Sequence, residues 1–529
     1  MTNVTRRDLL RMIGYTAGAS VMYQAMGGLG FAAESPRLTP PKLGPAPKDA
    51  SVIILGAGIA GMVAAYELKK AGYKVKILEY QSRAGGRAHS VYGGDRYTDT
   101  DGVTQECHFD PGLYFNVGPW RIPYHHRNVL HYCQELGIKL DPFVQINFNS
   151  YLHAQNAFGG EPKRFRELFS DFNGHIAELL SKSIHQTALD ETVTKEDQER
   201  LLEELRAFGG LDNEFRYTAA SGSPRRGFSK PLGGGLTGAP ELSTPLELKD
   251  LLDANAWQRM SYHFQHTFQQ TMFEPKGGME MIGKAFGKAL EGTIQYNAVV
   301  TEIDQSDAGV TVTYRDQKNG DTVQTESADF CLCTIPLPIL RTLNISVNDG
   351  LKQAIDTIPY ASVVKVGAQY NRRFWEEDEA IYGGMTLTDF PISHIAYPSA
   401  TDEILSRGKG ILLNGYIAGP NGVEYTKLAP DARVKETLKY VGHIHPQALD
   451  EYDTGYSTAW DKVPWIQGGY TSWNDALRET HYKTLAEMDG RIVLAGEHVS
   501  YISGWLEGAV TSSLDAIERL HEKAVSLKG

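Results

Sequence analysis

The sequence has very little cysteine. Its 529 residues include four cysteines, which are Cys107, Cys133, Cys331 and Cys333. This number and spacing fit neither a disulfide framework nor the paired-cysteine ligand sets of a zinc site. We therefore expect ordinary thiols and no metal centre.

The sequence also lacks a block rich in Lys and Arg, and its formal net charge is -12. Polyanion binding depends on clustered positive charge, so this composition argues against nucleic acid or an anionic membrane as partner. A weakly apolar stretch from Met12 to Phe31 is interrupted by Gly, Gln and Tyr. It falls short of the roughly 20 mostly apolar residues that a membrane span needs. The expected partner is a small molecule, and no membrane span is predicted.

A glycine-rich turn stands between a strand pattern and a helix pattern. Residues 51–55 form a short β-branched run, and Gly56, Gly58 and Gly61 follow before an Ala-rich helical pattern. Gly56 permits the turn, Gly58 lets the backbone approach a pyrophosphate, and Gly61 lets the helix pack on the strand. The positive end of the helix dipole would face the phosphates. This order predicts a dinucleotide-binding unit.

The residues after this unit indicate which dinucleotide is bound. A second strand pattern, residues 74–78, ends at Glu79, where an acidic side chain can bind the adenosine ribose. Gly85, Gly86 and Arg87 complete an ExxxxxGGR pattern that resembles the flavin amine oxidase superfamily rather than nicotinamide dehydrogenases. The resemblance implies FAD, with Gly86 close to the cofactor and Arg87 holding a charge against its phosphates or ring edge. A surface ion pair remains the alternative for Arg87.

Later segments resemble the other cofactor contacts of the superfamily. Residues 297–303 resemble the strand whose backbone, at Val300, contacts adenine, and residues 491–497 resemble the closing motif whose acidic residue is Glu497. The remaining contacts implied by the resemblance are Ala60, Gly118, Pro119, Trp120, Arg121, Gly504, Trp505 and Ala509. Some relatives attach the flavin through a cysteine near the closing motif. No cysteine lies there in this chain, so we expect noncovalent FAD.

The predicted fold class is α/β, with a Rossmann-like FAD-binding domain assembled from separated segments. The predicted ranges are 48–110, 276–344 and 486–529 for this domain, 111–134 and 345–485 for a mixed α+β substrate-binding domain, and 135–275 for a helical domain. Thr244 to Glu247 combine a capping box with proline at the first helical position, which predicts a helix to about Phe273. Residues 217–243 are predicted as a long loop that serves as an entrance lid, a subunit contact or a mobile surface insertion.

The segment from Asn116 to Pro123 resembles L-amino acid oxidases. In that family the arginine at the position of Arg121 binds the substrate carboxylate. A guanidinium can form two parallel hydrogen bonds to a carboxylate and fix its plane, which suits that role. A structural pairing with Asp or Glu is the alternative.

Further substrate-side residues are implied by the same resemblance. Lys365 matches a lysine that holds a water beside the reactive flavin nitrogen, although a lone Lys in a β run would otherwise lie on an exposed face. Tyr416 matches a tyrosine that donates to the substrate carboxylate. Trp505 matches an aromatic wall, Gly504 could accept from the substrate amine through its carbonyl, and Tyr470 would line the side-chain pocket. His263 and His266 are placed on one helix face without a completed metal site.

The function implied is oxidation of L-amino acids by FAD and dioxygen, giving a 2-oxo acid, ammonia and hydrogen peroxide, in an enzyme expected to be a homodimer. A monoamine or polyamine oxidase, an amino acid monooxygenase and a catalytically silent exported flavin-binding protein remain alternatives.

The N-terminus resembles a twin-arginine export signal. Residues 1–33 contain Thr5-Arg6-Arg7-Asp8-Leu9-Leu10, the apolar stretch and Ala32-Ala33, and a Pro-rich linker, 34–47, follows. The route carries folded proteins, which suits a chain that loads its cofactor before export. The predicted location is periplasmic or secreted, and a plain amphipathic N-terminus is the alternative.

Overall fold

The computed structural model describes residues 40–186, 193–399 and 408–528. The predicted export signal and the first part of the linker lie outside the described residues. Residues 40–47 of the linker have no regular secondary structure.

A parallel five-stranded sheet forms the first core of the molecule. Its order is Ile294–Gln295, Lys74–Leu78, Ser51–Leu55, Phe330–Cys333 and Ile492–Leu494. The central strands carry almost only apolar side chains, because both faces of a parallel sheet are covered. Strands from widely separated parts of the chain thus pair side by side, and the predicted α/β fold is confirmed.

Different layers cover the two faces of the five-stranded sheet. Helices Ile59–Lys70, Glu280–Ala289 and Leu506–Lys528 pack on the face that carries Ile54 and Leu332. On the opposite face lie a second, four-stranded sheet and two short helices. The strands of this four-stranded sheet are Thr322–Ala328, Gly309–Asp316, Ala298–Ser306 and Asn344–Ile345, and the helices are Leu337–Leu340 and Asp349–Thr357.

A mostly antiparallel seven-stranded sheet forms the second core. Its order is Lys163–Arg164, Tyr151–His153, Met385–Thr388, His394–Ala396, Gly410–Ala418, Val363–Tyr370 and Tyr452–Ala459. All residues of Val363–Tyr370 are buried, since helices including Pro430–Ile444 cover one face and a cluster with Phe115 and Trp460 covers the other. In this strand Lys365 lies directly opposite Tyr416.

The range 135–275 is only partly helical, which corrects the predicted helical domain. Its helices are Phe165–His185, Lys195–Gly209, Ala219–Arg226, Leu248–Asp253 and Ala256–Met260. Its strands Tyr151–His153 and Lys163–Arg164 belong to the seven-stranded sheet, and Leu140–Phe143 pairs with Met272–Pro275, which also pairs with Ile122–Pro123. The helical periodicity therefore concealed four strands, of which Tyr151–His153 and Met272–Pro275 also pair with strands outside the range.

The predicted helix from Thr244 is wrong. The Leu246 backbone N–H donates to Asp171 at 2.8 Å, and the guanidinium of Arg226 pairs with the same carboxylate. The helix begins only at Leu248, after Glu247 in an extended conformation, and it ends at Asp253. The predicted loop 217–243 likewise contains the helix Ala219–Arg226, which Thr218 caps.

The other elements connect these layers. Short antiparallel pairs are Ser90–Tyr92 with Tyr114–Asn116 and Arg96–Thr98 with Thr104–Glu106. The remaining α-helices are Arg127–Glu135, Phe374–Glu377, Gly419–Thr426, Gln447–Glu451, Asp475–Leu477 and Lys483–Ala486. None of the helices within the described ranges is both long and apolar enough to cross a bilayer.

Candidate active site

A cavity of about 1660 Å³ extends between the five-stranded and the seven-stranded sheets. All the site residues predicted from the sequence line it except Gly61. Gly58, Glu79 and Val300 line the part beside the five-stranded sheet, and Arg121 and Lys365 line the part at the seven-stranded sheet. The fold therefore gathers the two groups of predicted residues into one elongated space.

The glycine turn leaves the beginning of a helix open to this cavity. Gly56 has φ +100, a left-handed conformation that favours glycine, and it ends the strand Ser51–Leu55. Gly58 precedes helix Ile59–Lys70 without a side-chain cap, and a Cβ at Gly58 would meet nothing within 4 Å. A Cβ at Gly61 would lie 2.1 Å from the Gly56 carbonyl oxygen. Gly61 thus permits packing, and Gly58 keeps free the space in front of the helix.

Glu79 is buried beside the glycine turn, at the start of helix Ile59–Lys70. Its carboxylate accepts the Ala57 backbone N–H at 2.5 Å and the Gln81 backbone N–H at 2.8 Å. Burial raises the pKa of Glu79, while these backbone hydrogen bonds and Arg83 oppose the shift. The carboxylate is therefore fixed against the glycine turn.

A partly buried ion pair joins Arg87 to the closing motif. Arg87 Nη1 lies 2.9 Å from Glu497 Oε1 and donates to the Gly469 carbonyl at 2.8 Å. Burial alone would lower the pKa of Arg87, yet Glu497 raises it above its ordinary value. Burial likewise opposes ionisation of Glu497, but Arg87 and other partners hold the pKa of Glu497 below its usual range. Arg87 thus forms an ion pair, and this pair is partly buried at the cavity, with side chains 22 % and 6 % exposed.

These features fit a dinucleotide. An uncapped helix start with free space in front of it suits a pyrophosphate, and the buried carboxylate of Glu79 beside the turn suits a ribose. Gly86, at φ +57, lies close to Gly58, since a Cβ on Gly86 would come within 3.1 Å of the Gly58 Cα. Gly58 and Gly86 thus lie close together and present backbone, without a side chain, to the cavity.

The loop from Asn116 to Arg121 reaches the second half of the cavity, and buried donors hold it there. Trp460 Nε1 donates to the Val117 carbonyl at 2.9 Å. Lys365 Nζ donates to the carbonyls of Gly118 at 2.5 Å and Asn116 at 3.1 Å. The seven-stranded sheet therefore fixes the position of the loop that carries Arg121.

Lys365 does not lie on an exposed face, where an isolated Lys in a strand would be expected. It is 2 % exposed, and its Nζ is 4.4 Å from the centre of the Trp120 ring. Burial, and then the charge of Arg121, hold the pKa of Lys365 well below its ordinary value. The site thus contains an amine that can lose its proton far more readily than a surface lysine.

Arg121 is a buried cation at the centre of an aromatic cluster. It is 6 % exposed, and within the described ranges its Nε and Nη1 have no hydrogen-bond partner. Its guanidinium carbon lies 4.8, 4.9 and 5.5 Å from the ring centres of Trp120, Phe268 and Trp505. Burial lowers the pKa of Arg121, and the groups that oppose this are the tyrosines Tyr262 and Tyr416. Two N–H donors of a buried cation therefore remain available.

The other predicted substrate-side residues surround Arg121. The ring of Tyr416 lies 6.2 Å from that of Trp120. The Gly504 Cα packs on the ring of Tyr470, because a Cβ at Gly504 would be 3.3 Å from that ring. Trp505 stands edge-on to His126 at 5.0 Å between ring centres. The structure thus brings Tyr416, Tyr470 and Trp505 to the same cavity.

Two buried histidines of this cavity were missed in the sequence. His394 and His126 both line it, and each has an Nε2 without a hydrogen-bond partner in the part of the chain that the structure describes. His394 lies in a short strand and His126 at the start of a helix, and no motif marks either residue. His263 and His266 do not share a helix face, because they occupy two separate 3-10 turns. Among the described residues no group of His, Cys, Asp and Glu could hold a metal ion.

A parallel sheet with a glycine turn, joined through one cavity to a loop that supplies a buried arginine and a second sheet that supplies a buried lysine, defines a dinucleotide-dependent oxidoreductase. The chain belongs to the family of flavin-containing amine oxidoreductases, whose sequence model matches residues 59–521. Its cofactor is therefore a flavin, and its reaction class is flavin-dependent amine oxidation.

Individual relatives agree with this assignment. The chain is 26% identical over 483 residues to an L-amino-acid oxidase of Siganus canaliculatus, covering 90% of this chain and 86% of that protein. It is 26% identical over 489 residues to a flavin-dependent L-tryptophan oxidase of Lentzea aerocolonigenes, covering 89% and 97%. A solved structure of cyclohexylamine oxidase from Brevibacterium oxydans IH-35A superposes with a TM-score of 0.58 at 19% identity, covering 90% of this chain and 99% of that one. The superposition shows the shared fold.

Proposed function

We propose that the protein oxidatively deaminates L-amino acids with noncovalently bound FAD and dioxygen, giving a 2-oxo acid, ammonia and hydrogen peroxide. The observation that carries this proposal is Arg121, a buried guanidinium that lines the cavity and has two donor atoms without a partner among the described residues. A buried charge without a partner is costly, and a carboxylate is the group that satisfies a guanidinium best. The names of the relatives from Siganus canaliculatus and Lentzea aerocolonigenes, an L-amino-acid oxidase and an L-tryptophan oxidase, support the same substrate class.

Different residues around the cavity would bind different groups of the substrate. Arg121 and Tyr416 would hold the substrate carboxylate, and the Gly504 carbonyl would accept from the amine, which fixes the α-carbon for reaction. Tyr470 and Trp505 would enclose the substrate and exclude water. Bound flavin would supply the acceptor for the α-hydrogen and its electron pair and pass the electrons to dioxygen.

Lys365 would act beside the reacting atoms rather than on the carboxylate. Its Nζ is held by the Gly118 and Asn116 carbonyls, and burial and the charge of Arg121 hold its pKa well below the ordinary value. A water positioned by Lys365 would accept and release a proton during the reaction.

The cofactor residues are proposed on the same geometric grounds. Gly58 would let the backbone approach the pyrophosphate, Glu79 would bind the ribose, and the Arg87–Glu497 pair would lie against the flavin. Cys107, Cys133, Cys331 and Cys333 are all free and buried, and none of them lines the cavity. Noncovalent binding is therefore favoured. Export by the twin-arginine route and a homodimeric state stay predictions from the sequence.

The three alternative functions can each be distinguished from L-amino acid oxidation. A monoamine or polyamine carries no carboxylate, so it would leave Arg121 buried without an anionic partner among the described residues. An amino acid monooxygenase would use the same carboxylate contact but would release an amide. A silent flavin-binding protein would be reduced by light but would show no bleaching with substrate.

Anaerobic mixing of the holoenzyme with L- and D-phenylalanine tests the proposal. We expect L-phenylalanine to bleach the flavin, D-phenylalanine to leave it oxidised, and aerobic turnover to yield hydrogen peroxide. Arg121→Met should raise the KM or lower kcat/KM by about 100-fold or more, because a buried charge pair is broken, while the flavin spectrum stays unchanged. Arg127→Met, which alters an exposed arginine six positions further along, is the matched control. Equal bleaching by phenylethylamine, or an amide product, would disprove the proposal.

A further inference from the structure

His394 is a buried imidazole in the wall of the cavity that holds Arg121. It begins the strand His394–Ala396 of the seven-stranded sheet and is 3 % exposed. Its Nδ1 lies 3.3 Å from Ser393 Oγ, whereas its Nε2 has no partner among residues 40–186, 193–399 and 408–528. A buried polar atom without a protein partner, on a residue that lines a ligand cavity, points to a partner on the ligand.

The neighbours of His394 are the residues proposed to bind the substrate carboxylate. Its ring stacks on Tyr416, with 5.4 Å between ring centres and 16° between planes. It also lies 5.6 Å from the ring of Trp120, which packs against both Arg121 and Lys365. His394 is therefore placed beside the arginine and the tyrosine of the carboxylate site.

The imidazole is neutral in this environment. Burial, followed by the charges of Arg121 and Lys365, lowers the pKa of His394 to about 3. A neutral imidazole has one N–H and one acceptor nitrogen. When the Ser393 hydroxyl donates to Nδ1, the proton resides on Nε2, which then becomes a donor without a partner in the part of the chain that the structure describes.

We propose that His394 is a further substrate-binding residue, whose Nε2–H donates a hydrogen bond to the substrate carboxylate beside Arg121 and Tyr416. The inference rests on the proposed function, because it assigns a third donor to the same carboxylate. A carboxylate has about four lone-pair sites, so one guanidinium and one hydroxyl leave an acceptor position for His394.

Two variants separate the hydrogen bond from the stacking of the ring. His394→Phe keeps an aromatic ring against Tyr416 and removes the N–H. His394→Gln removes the ring and keeps an amide N–H near the position of Nε2. The probe is 3-phenylpropanoate, a carboxylate without an oxidisable amine, and its amide 3-phenylpropanamide is the uncharged control.

Binding of each probe to the holoenzyme is measured by perturbation of the flavin absorbance. We expect His394→Phe to weaken 3-phenylpropanoate about 10- to 100-fold, the range for a hydrogen bond to a charged group, and to change binding of the amide by much less. His394→Gln should recover most of the affinity for the acid. The KM for L-phenylalanine should rise in parallel in His394→Phe.

The outcomes distinguish this inference from the proposed function. If wild-type protein binds 3-phenylpropanoate and oxidises L-phenylalanine but His394→Phe binds the acid equally well, the inference alone is wrong. It is also wrong if His394→Phe affects only amino acids with polar side chains, since the contact would then be to the side chain. If wild-type protein neither binds the acid nor oxidises L-phenylalanine, both proposals fail.

Discussion

Burial changes the chemistry of a single carboxyl far from the cavity. Glu274 lies in the strand Met272–Pro275, directly opposite Asp141, and is 9 % exposed. Burial, and then the charge of Asp141, raise the pKa of Glu274 from 4.5 to about 8. The protonated form therefore stabilises the fold at low pH, and this contribution is lost as the pH rises through about 8.

Glu274→Gln should remove this pH dependence, because the amide mimics the protonated acid and cannot ionise. We expect the variant and the wild type to unfold at similar temperatures at pH 5, where the native carboxyl is protonated, and the variant to unfold at a higher temperature at pH 9. Thermal unfolding of the holoenzyme at both pH values measures this, with the exposed Glu522→Gln as control. An equal shift at pH 5 and pH 9 would contradict the raised pKa.

Where a motif exists, the sequence could predict which residues lie at the cavity. Gly58, Glu79 and Arg87 follow from spacing and from resemblance, and the structure places all of them at the cavity. His394 carries no such signal, because its position depends on a strand pairing between Ala396 and Leu413 rather than on nearby residues. When long-range strand pairing brings a side chain to a site, the neighbouring residues in the sequence do not predict its position.

At the scale of elements, the strand, turn and helix from Ser51 to Lys70 show how two glycines differ in purpose. Gly58→Ala would add a methyl group that meets no protein atom, whereas Gly61→Ala would place one 2.1 Å from the Gly56 carbonyl oxygen. We expect Gly58→Ala to fold with nearly unchanged apoprotein stability but to lose most of its flavin, because the methyl occupies the space proposed for the pyrophosphate.

Gly61→Ala should lower both stability and flavin content, by about 1–3 kcal/mol in unfolding free energy, as is usual for overpacking. Urea unfolding of the apoprotein and the flavin-to-protein absorbance ratio measure the two effects separately. Full flavin content in Gly58→Ala would exclude close approach of a phosphate at this turn.

The observed strands and helices show which elements could be predicted from the sequence. The strands Ser51–Leu55 and Lys74–Leu78 match the runs read from the sequence, because β-branched alternation and a following glycine turn are local signals. The helix predicted from Thr244 begins at Leu248 and ends at Asp253, before Asn255 at φ +48. Glu247, which precedes the helix, makes no side-chain cap, so the predicted capping pattern did not decide where the helix starts.

At the scale of the whole molecule, the two sheets are joined through the loop that carries Arg121. The seven-stranded sheet contributes Lys365, which binds the Gly118 carbonyl, and Trp460 binds the Val117 carbonyl. The same loop lines the cavity together with the glycine turn of the five-stranded sheet. Cofactor and substrate sites are thus coupled through backbone contacts, so a change in the packing between the sheets should affect both.

The C-terminal helix provides a second connection, through Glu507. This fully buried carboxylate accepts the backbone N–H groups of Asn128 at 3.1 Å and Val129 at 2.9 Å. It therefore caps the helix Arg127–Glu135, which has no side-chain cap of its own at His126. Because the helix dipole favours an anion at this end, the contact stabilises the segment that follows Arg121.

Glu507→Ala should lower the unfolding free energy by about 3 kcal/mol, since it leaves buried N–H groups without an acceptor. Glu507→Gln, which keeps one acceptor oxygen, should lose less. We also expect Glu507→Ala to weaken binding of 3-phenylpropanoate, because the loop that positions Arg121 loses its support from the following helix. Urea unfolding and flavin-absorbance titration of the same preparations measure both effects, with the exposed Glu522→Ala on the same helix as control. Reduced stability with unchanged affinity for the acid would show that Glu507 supports the fold without positioning Arg121.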